Sequence, residues 1–229
     1  MNIYALICTR SNKPGKSLNK IISFYKYCGI RTILLEDKNS IFEAYNEGYN
    51  YVRGLSDDKN FILIMCHDDI EILSNREHFL HNLSVLAKPD IGIVGVAGSE
   101  RLVESGMWWD KNEWAFGRLK GQVFHHDDLF PTVYGTYGEV AILDGLFMAA
   151  HGNTSEKINF SKPSYFSGDW DYYDVHICHQ ARVDHKLTNL VLPIQINHHS
   201  SGEGVAGEGW IKNKDAFIER YVVGRKYGI

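Results

Sequence analysis

The chain has 229 residues, 44% hydrophobic and 23% charged, enough to bury a core without disulfide or metal staples and the size of one large domain. Lys and Arg number 24 against 28 Asp and Glu, a formal charge of −4, which argues against attachment to nucleic acid or an anionic membrane by bulk charge. An aromatic content of 13%, with 13 Tyr and 5 Trp, excludes a disordered chain.

The apolar run Ile3 to Thr9 stops at polar residues and predicts a buried strand. Ser17 to Tyr27 carries Leu18, Ile21, Ile22 and Tyr25 at helical spacing. Arg31 to Glu36 predicts a second strand, and Ser40 to Val52 a helix in which Ser40 and Glu43 form a capping box. Phe61 to Cys66 predicts a third strand, ending abruptly in His67-Asp68-Asp69. A helix is expected over Phe79 to Ala87 and a strand over Ile91 to Val96. This alternation is the pattern of an α/β fold with a parallel sheet and right-handed crossovers. Beyond Ser99 the rhythm breaks: residues 100–135 are rich in Trp, Gly, Asp and His and predict hairpins and functional loops. Strands are expected at Glu139 to Leu143, running into Asp144-Gly145, and at Leu190 to Ile196, with helices at Asp174 to Arg182 and Trp210 to Tyr227. No linker is visible, so residues 1–229 are read as one domain with a change of role near residue 100.

Cys8, Cys28, Cys66 and Cys178 are widely spaced with no C-x-x-C, and buried free thiols are the expected reading. The N-terminal run lacks a basic region, and Asp144 interrupts the longest apolar candidate, Val140 to Ala150. Neither a signal peptide nor a transmembrane segment is expected, and a reducing, cytoplasmic compartment is the default.

The chemistry concentrates at strand ends. In open α/β sheets ligands bind beyond the carboxyl ends of the strands, where His67-Asp68-Asp69 and Glu71 lie. Carboxylates crowded there repel one another unless a cation sits between them, and oxygen-rich sites favour Mg²⁺ or Mn²⁺. A solvated acidic turn is the plainer alternative. His198-His199 follows another predicted strand, with Ser200, Ser201 and Gly202 as a polar loop; an imidazole beside a carboxylate suits Mn²⁺. Asp144 sits inside a hydrophobic segment, where burial without partners is costly. Asp169, Asp171 and Asp174 alternate with Trp170, Tyr172 and Tyr173, a combination that suits a sugar and equally a polar helix start.

Six segments then occur in one order: SIFEAYNEGYNYV (40–52), FILIMCHDDIEIL (61–73), IGIVGVAGSERL (91–102), EVAILDGLFMAA (139–150), YYDVHICHQARVDHKL (172–187) and INHHSSG (196–202). In that order the chain resembles the glycosyltransferase family 2-like proteins of GT-A fold, in particular a branch of small proteins with H-x-D in place of D-x-D. The resemblance implies a mostly parallel central sheet flanked by helices with a smaller acceptor-side sheet, residues 1–99 forming the nucleotide-sugar half and 100–229 the acceptor half. It implies a nucleotide-sugar donor, UDP-linked as the better guess, a glycan or other hydroxyl acceptor, and Mn²⁺ or Mg²⁺. By the same resemblance Asp69 holds the metal on the donor diphosphate with His198 or His199, and Asp68 assists with the donor. Thr9, Arg10, Glu36 and Asn46 line the donor pocket, Asp144 stands at the donor–acceptor junction, and Asp174 is the base of an inverting reaction. The chain departs from the family pattern where His67 replaces the first Asp and where Tyr173 replaces a Glu before the base. It also lacks the Q-x-x-R-W of processive synthases. A sugar nucleotidyltransferase, a metal-dependent hydrolase and a non-catalytic binding domain are the rival readings.

Overall fold

The structure, a computed structural model, describes residues 1–56, 59–126, 128–200 and 207–223. Strand β1 (Asn2–Thr9) pairs in parallel with β2 (Arg31–Glu36) on one side and β3 (Phe61–Cys66) on the other. All six residues of β3 are buried, as expected of a parallel strand covered on both faces, which has no solvent side to demand alternation. Helix α1 (Leu18–Cys28) ends at Gly29, whose φ of +76° closes the helix by donating back to Lys26. Helix α2 (Ile41–Leu55) starts at Ser40, whose hydroxyl accepts from Phe42 N at 3.2 Å. That bond goes one residue short of the capping-box partner, because the same hydroxyl donates to the Asp169 carbonyl. Next come β4 (Ile70–Ile72), α3 (Arg76–Leu83), a 3-10 turn over Ser84–Ala87, β5 (Ile91–Gly95) and β6 (Ala97–Ser99).

The second half contains α4 (Lys111–Ala115), β7 (Leu119–His125), β8 (Thr132–Gly135), β9 (Gly138–Val140), β10 (Ile142–Leu143), β11 (Phe147–His151) and α5 (Gly152–Lys157). Helix α6 (Tyr173–His179) continues as a π turn to Asp184, and β12 (Thr188–Val191), β13 (Ile196–His198) and α7 (Glu208–Ile218) follow. The main sheet has the order β2-β1-β3-β11-β5-β12-β9, and a second sheet runs β10-β6-β7-β13-β4 with β8 beside β7. The α/β class, the mostly parallel central sheet and the smaller second sheet are those expected from the sequence. Among the described residues no helix is long and apolar enough to cross a membrane.

Three expectations change. The apolar run from Glu139 is not one strand: it is cut into β9, β10 and, after the turn at Asp144-Gly145, β11, which was not predicted. An unbroken apolar run carries no period from which to place such a reversal. β11 inserts antiparallel between β3 and β5, so the main sheet draws strands from both sides of residue 100. Leu190 to Ile196 is likewise two strands: Pro193 supplies no donor, and the chain leaves the main sheet at Val191 to enter the second sheet at Ile196. Of the predicted closing helix, 208–223 is helical and residues 224–227 lie outside the described residues.

Asn189 ties these layers together. Fully buried, it accepts from Ile93 N at 3.1 Å and donates to the carbonyls of Ala141 and Cys178, both at 3.1 Å. Asn189→Ala strands one buried N–H and two carbonyls, and at about 1–3 kcal/mol per unsatisfied group the variant is expected to lose roughly 3 kcal/mol or more. For a chain of this size the melting temperature should then fall by about 6–12 °C; an unchanged thermal melt would contradict this account of the layer junction.

Candidate active site

The carboxyl ends of β1, β2 and β3 and the turn preceding β11 meet at one edge of the main sheet, because Phe147 pairs with Cys66 and His67 N donates to the Leu146 carbonyl at 3.1 Å. β3 emerges there as His67-Asp68-Asp69. The chain turns directly into β4, whose Ile70 is opposite His198 of β13. Three side chains converge as a result: His198 Nε2 stands 3.4 Å and His67 Nδ1 3.9 Å from Asp69 Oδ1. Among the described residues this is the one group of three ligand atoms lying within 4.8 Å of one another.

Asp69 Oδ1 is buried and has no hydrogen-bond partner among the described residues. His198 Nε2 is close but not aligned, and instead meets Ser200 Oγ at 2.8 Å. Burial alone would raise the Asp69 carboxyl, yet His198 and His67 outweigh it and hold the group below its ordinary range. Burial would lower His198, and Asp69 with Asp144 hold it above its usual value instead. Burial and the neighbouring His198 push His67 down. An anionic oxygen buried beside two imidazoles, with a lone pair unused, is a group that could hold a metal ion.

The second part of the site is built on the Asp144-Gly145 turn and the start of α6. Asp144 Oδ1 accepts from Leu146 N at 2.9 Å, closing the turn as Asp side chains commonly do. Gly145 N donates to Asp174 Oδ2 at 3.1 Å, and Val175 N to Asp174 Oδ1 at 2.8 Å. The Tyr173 hydroxyl donates to the Gly145 carbonyl at 3.1 Å and lies 3.0 Å from His67 Nε2. Tyr172, before the helix, adopts φ +67°, a strained value for a bulky residue. Packing holds it there, with its ring against Phe166, Trp210 and Phe217 and its hydroxyl on the Gly106 carbonyl at 2.9 Å. Burial, with the Asp144 charge beside it, raises Asp174 from 3.8 to about 7. That is the range in which a carboxylate serves as a base near neutral pH.

A cleft of about 200 Å³ opens beside these groups, lined among others by Tyr45, His67, Asp68, Asp69, Trp170 and Tyr173. Of the residues expected to line a donor pocket, Thr9 reaches it through Asp68, accepted at 2.6 Å, while Gly15 N donates to the same carboxylate oxygen at 2.8 Å. Asp68 therefore anchors the loop that follows β1. Arg10 stacks on the Trp170 ring at 5.0 Å. Glu36 is exposed and lines a different cleft, of about 290 Å³, with Lys38, Glu47 and Tyr51. The α2 wall of the active-site cleft is Ile41 and Tyr45 rather than Asn46. His199 does not join the metal group, since its Nε2 faces Glu71 at 3.5 Å and Asn197 at 3.4 Å. Ser201 and Gly202, expected in the following loop, lie outside the described residues. The four thiols are free, and burial pushes Cys8 and Cys66 beside the cleft up to about 12, leaving them unreactive.

Sequence reasoning missed His125. Its ring lies 6.0 Å from that of His198, because β7 and β13 pair with His125 opposite His198. Its Nε2 meets the Tyr134 hydroxyl at 3.2 Å, and Tyr134 in turn packs on Trp108 and Trp114. Only the pairing of two strands about seventy residues apart brings these rings together; no local pattern announces it. Trp108 is buried while Trp109 is 40% exposed, so the Trp pair is half packing and half surface.

A search of curated proteins gave no match. Among the solved structures that match is the crystal structure of A197 from STIV, 14% identical, covering 87% of this chain and 83% of that one with a TM-score of 0.49. A profile of the family described as "Glycosyltransferase like family" matches residues 16–221, most of the chain and nearly all of the site. The chain therefore belongs to the glycosyltransferase family 2-like proteins, of GT-A-like fold, and glycosyl transfer is the activity that this membership supports.

Proposed function

We propose that the protein moves a sugar from a nucleotide-sugar donor, UDP-linked, to a hydroxyl acceptor such as a glycan, with inversion at the anomeric carbon and with Mn²⁺ or Mg²⁺ as cofactor. The observation that carries the reading is the buried, unpartnered Asp69 Oδ1 facing His67 and His198, with a carboxylate raised to about 7 held on the turn that bonds to the end of β3. Residues 1–99 supply most of the donor side and residues 100–229 the acceptor side, meeting at the Asp144-Gly145 turn.

His67, Asp69 and His198 would hold the ion. When bound, such an ion supplies positive charge that neutralises a leaving diphosphate. The remaining work falls to the chain. Asp174 takes the acceptor hydroxyl proton as that oxygen bonds to the anomeric carbon, while the bond to the diphosphate oxygen breaks and the nucleoside diphosphate departs with the electron pair. The N–H groups of Gly145 and Val175 orient Asp174, one on each oxygen. Asp144 stays on the turn and, by its charge, keeps Asp174 basic enough to accept a proton. Arg10 and Trp170 form the outer wall, where a cation and a ring suit a nucleotide, and Asp68 holds the β1 loop against it.

Calorimetric titration of UDP, GDP and CDP with Mn²⁺, then with EDTA, tests the donor site. Binding of one nucleotide that is lost with EDTA and in Asp69→Asn is expected; no metal-dependent binding of any of the three would overturn the reading in favour of a non-catalytic domain. Asp174→Asn should leave nucleotide binding within about twofold while kcat falls by about 10²–10⁴, the range for loss of a general base.

Proton linkage gives a further expectation. Asp174 binds its proton more tightly in the folded chain than in the unfolded one, so its stabilising contribution is full below about pH 4. It is lost as pH rises through about 7. With metal and donor saturating, kcat should climb with pH and level off above about 7, while Asp174→Asn should raise the melting temperature at pH 8 more than at pH 4. A pH-independent kcat, or a stability gain equal at both pH values, would remove Asp174 from the base role.

A further inference from the structure

The hydrogen bonds around Tyr173 decide which nitrogen of His67 offers a lone pair to Asp69, given the metal reading proposed above. The Tyr173 side chain is buried, and its hydroxyl has a single proton. That proton is donated to the Gly145 carbonyl at 3.1 Å. The His67 Nε2, 3.0 Å from the same oxygen, can bond to it only as an N–H donor. A neutral imidazole carries one N–H, so Nδ1 is left bare. It faces Asp69 Oδ1, itself an acceptor with no donor among the described residues, across 3.9 Å. Two acceptors aimed at one another at that distance leave a gap that a cation fills.

Gly145 is part of the device. A Cβ there would lie 2.3 Å from the Tyr173 hydroxyl and 2.7 Å from its ring carbon, so only glycine allows the hydroxyl to reach the carbonyl. We propose that Tyr173 is a positioning residue, held by Gly145, that locks His67 in the Nε2–H tautomer and so makes Nδ1 its metal-binding atom. The chain that does this is Gly145 C=O, Tyr173 O–H and His67 Nε2–H, and of its members only His67 faces Asp69 and His198. Partners of this kind set ring orientation and ligand basicity, and their loss costs about 10–100-fold in metal affinity.

Two measurements test it on the full chain. Long-range ¹⁵N–¹H spectra of the metal-free wild type, with His67 assigned by its disappearance in His67→Gln, should show the Nε2–H form. In Tyr173→Phe the ring should shift toward a mixture of tautomers. Titration with Mn²⁺ alone should give a Kd about 10–100-fold weaker for Tyr173→Phe than for wild type. Gly145→Ala, which displaces the hydroxyl without removing it, should weaken Mn²⁺ in the same direction. Should Tyr173→Phe fail to fold, the wild-type tautomer and Gly145→Ala make the decision. An Nδ1–H tautomer in the wild type, or Mn²⁺ affinity unchanged in a folded Tyr173→Phe, overturns the inference while leaving the metal site standing. A wild type that binds no Mn²⁺ overturns the metal reading itself, and the ligand assignment with it.

Discussion

The architecture turns on β11, the antiparallel strand inside a sheet whose other reversed strand, β9, lies at its edge. β11 fits between β3 and β5 running against both, so the chain must reverse at the carboxyl edge of the sheet, where ligand sites form in such folds. The reversal is Asp144-Gly145-Leu146. It brings the N–H and the carbonyl of one residue, Gly145, beside the end of β3, and both are used. Gly145 N–H goes to Asp174 and Gly145 C=O to Tyr173. One residue thus holds, through the two peptide planes that meet at its Cα, the proposed base Asp174 and, through Tyr173, the proposed metal ligand His67.

Asp69, Asp144 and Asp174 gather at an edge where burial penalises charge, and Asp69 and Asp174 respond in opposite directions. Asp69 stays low because two imidazoles face it, whereas Asp174 is raised by its burial and further by the Asp144 carboxylate. The same environment therefore sorts chemically equivalent side chains into an anion suited to a cation and a base suited to a proton. Strain at Tyr172 belongs to the same account: its left-handed backbone turns the first residues of α6 toward the cleft, and the surrounding aromatic cluster supplies the packing that holds it.

Much of this was legible in the sequence, for reasons that can be named. β3 announced itself because a strand covered on both faces must be apolar throughout, and the sudden acidic run after it marked a carboxyl end. Asp144 stood out as a charge in an apolar run, whereas Asp174, at the start of a predicted helix, was picked out as a base only by the family resemblance. The unreadable parts all depend on pairings between distant segments. β11 hid in a run without period, His125 entered only through the pairing of β7 with β13, and His198 could not be separated from His199 until the register of β13 against β4 was known. Adjacent residues of a strand point to opposite faces, so one histidine of the pair had to turn away; sequence alone does not say which.

Two of the positions at which the chain departs from the pattern that its resemblance implies, His67 and Tyr173, are hydrogen-bonded to each other. This is more than coincidence of place. With an Asp at 67 and a Glu at the position before the base, the same space would hold two carboxylates, and a tyrosine–histidine pair instead leaves it neutral. The neutral pair removes a repulsion that would otherwise act on Asp69 and Asp174 together, and it substitutes a directional bond for a charge. The proposed cation site then carries one carboxylate with two imidazoles. Imidazole ligands move such a site's preference away from all-oxygen Mg²⁺ chemistry toward Mn²⁺. Under the proposed metal reading, one buried hydroxyl, that of Tyr173, both neutralises this corner of the site and orients the His67 ligand.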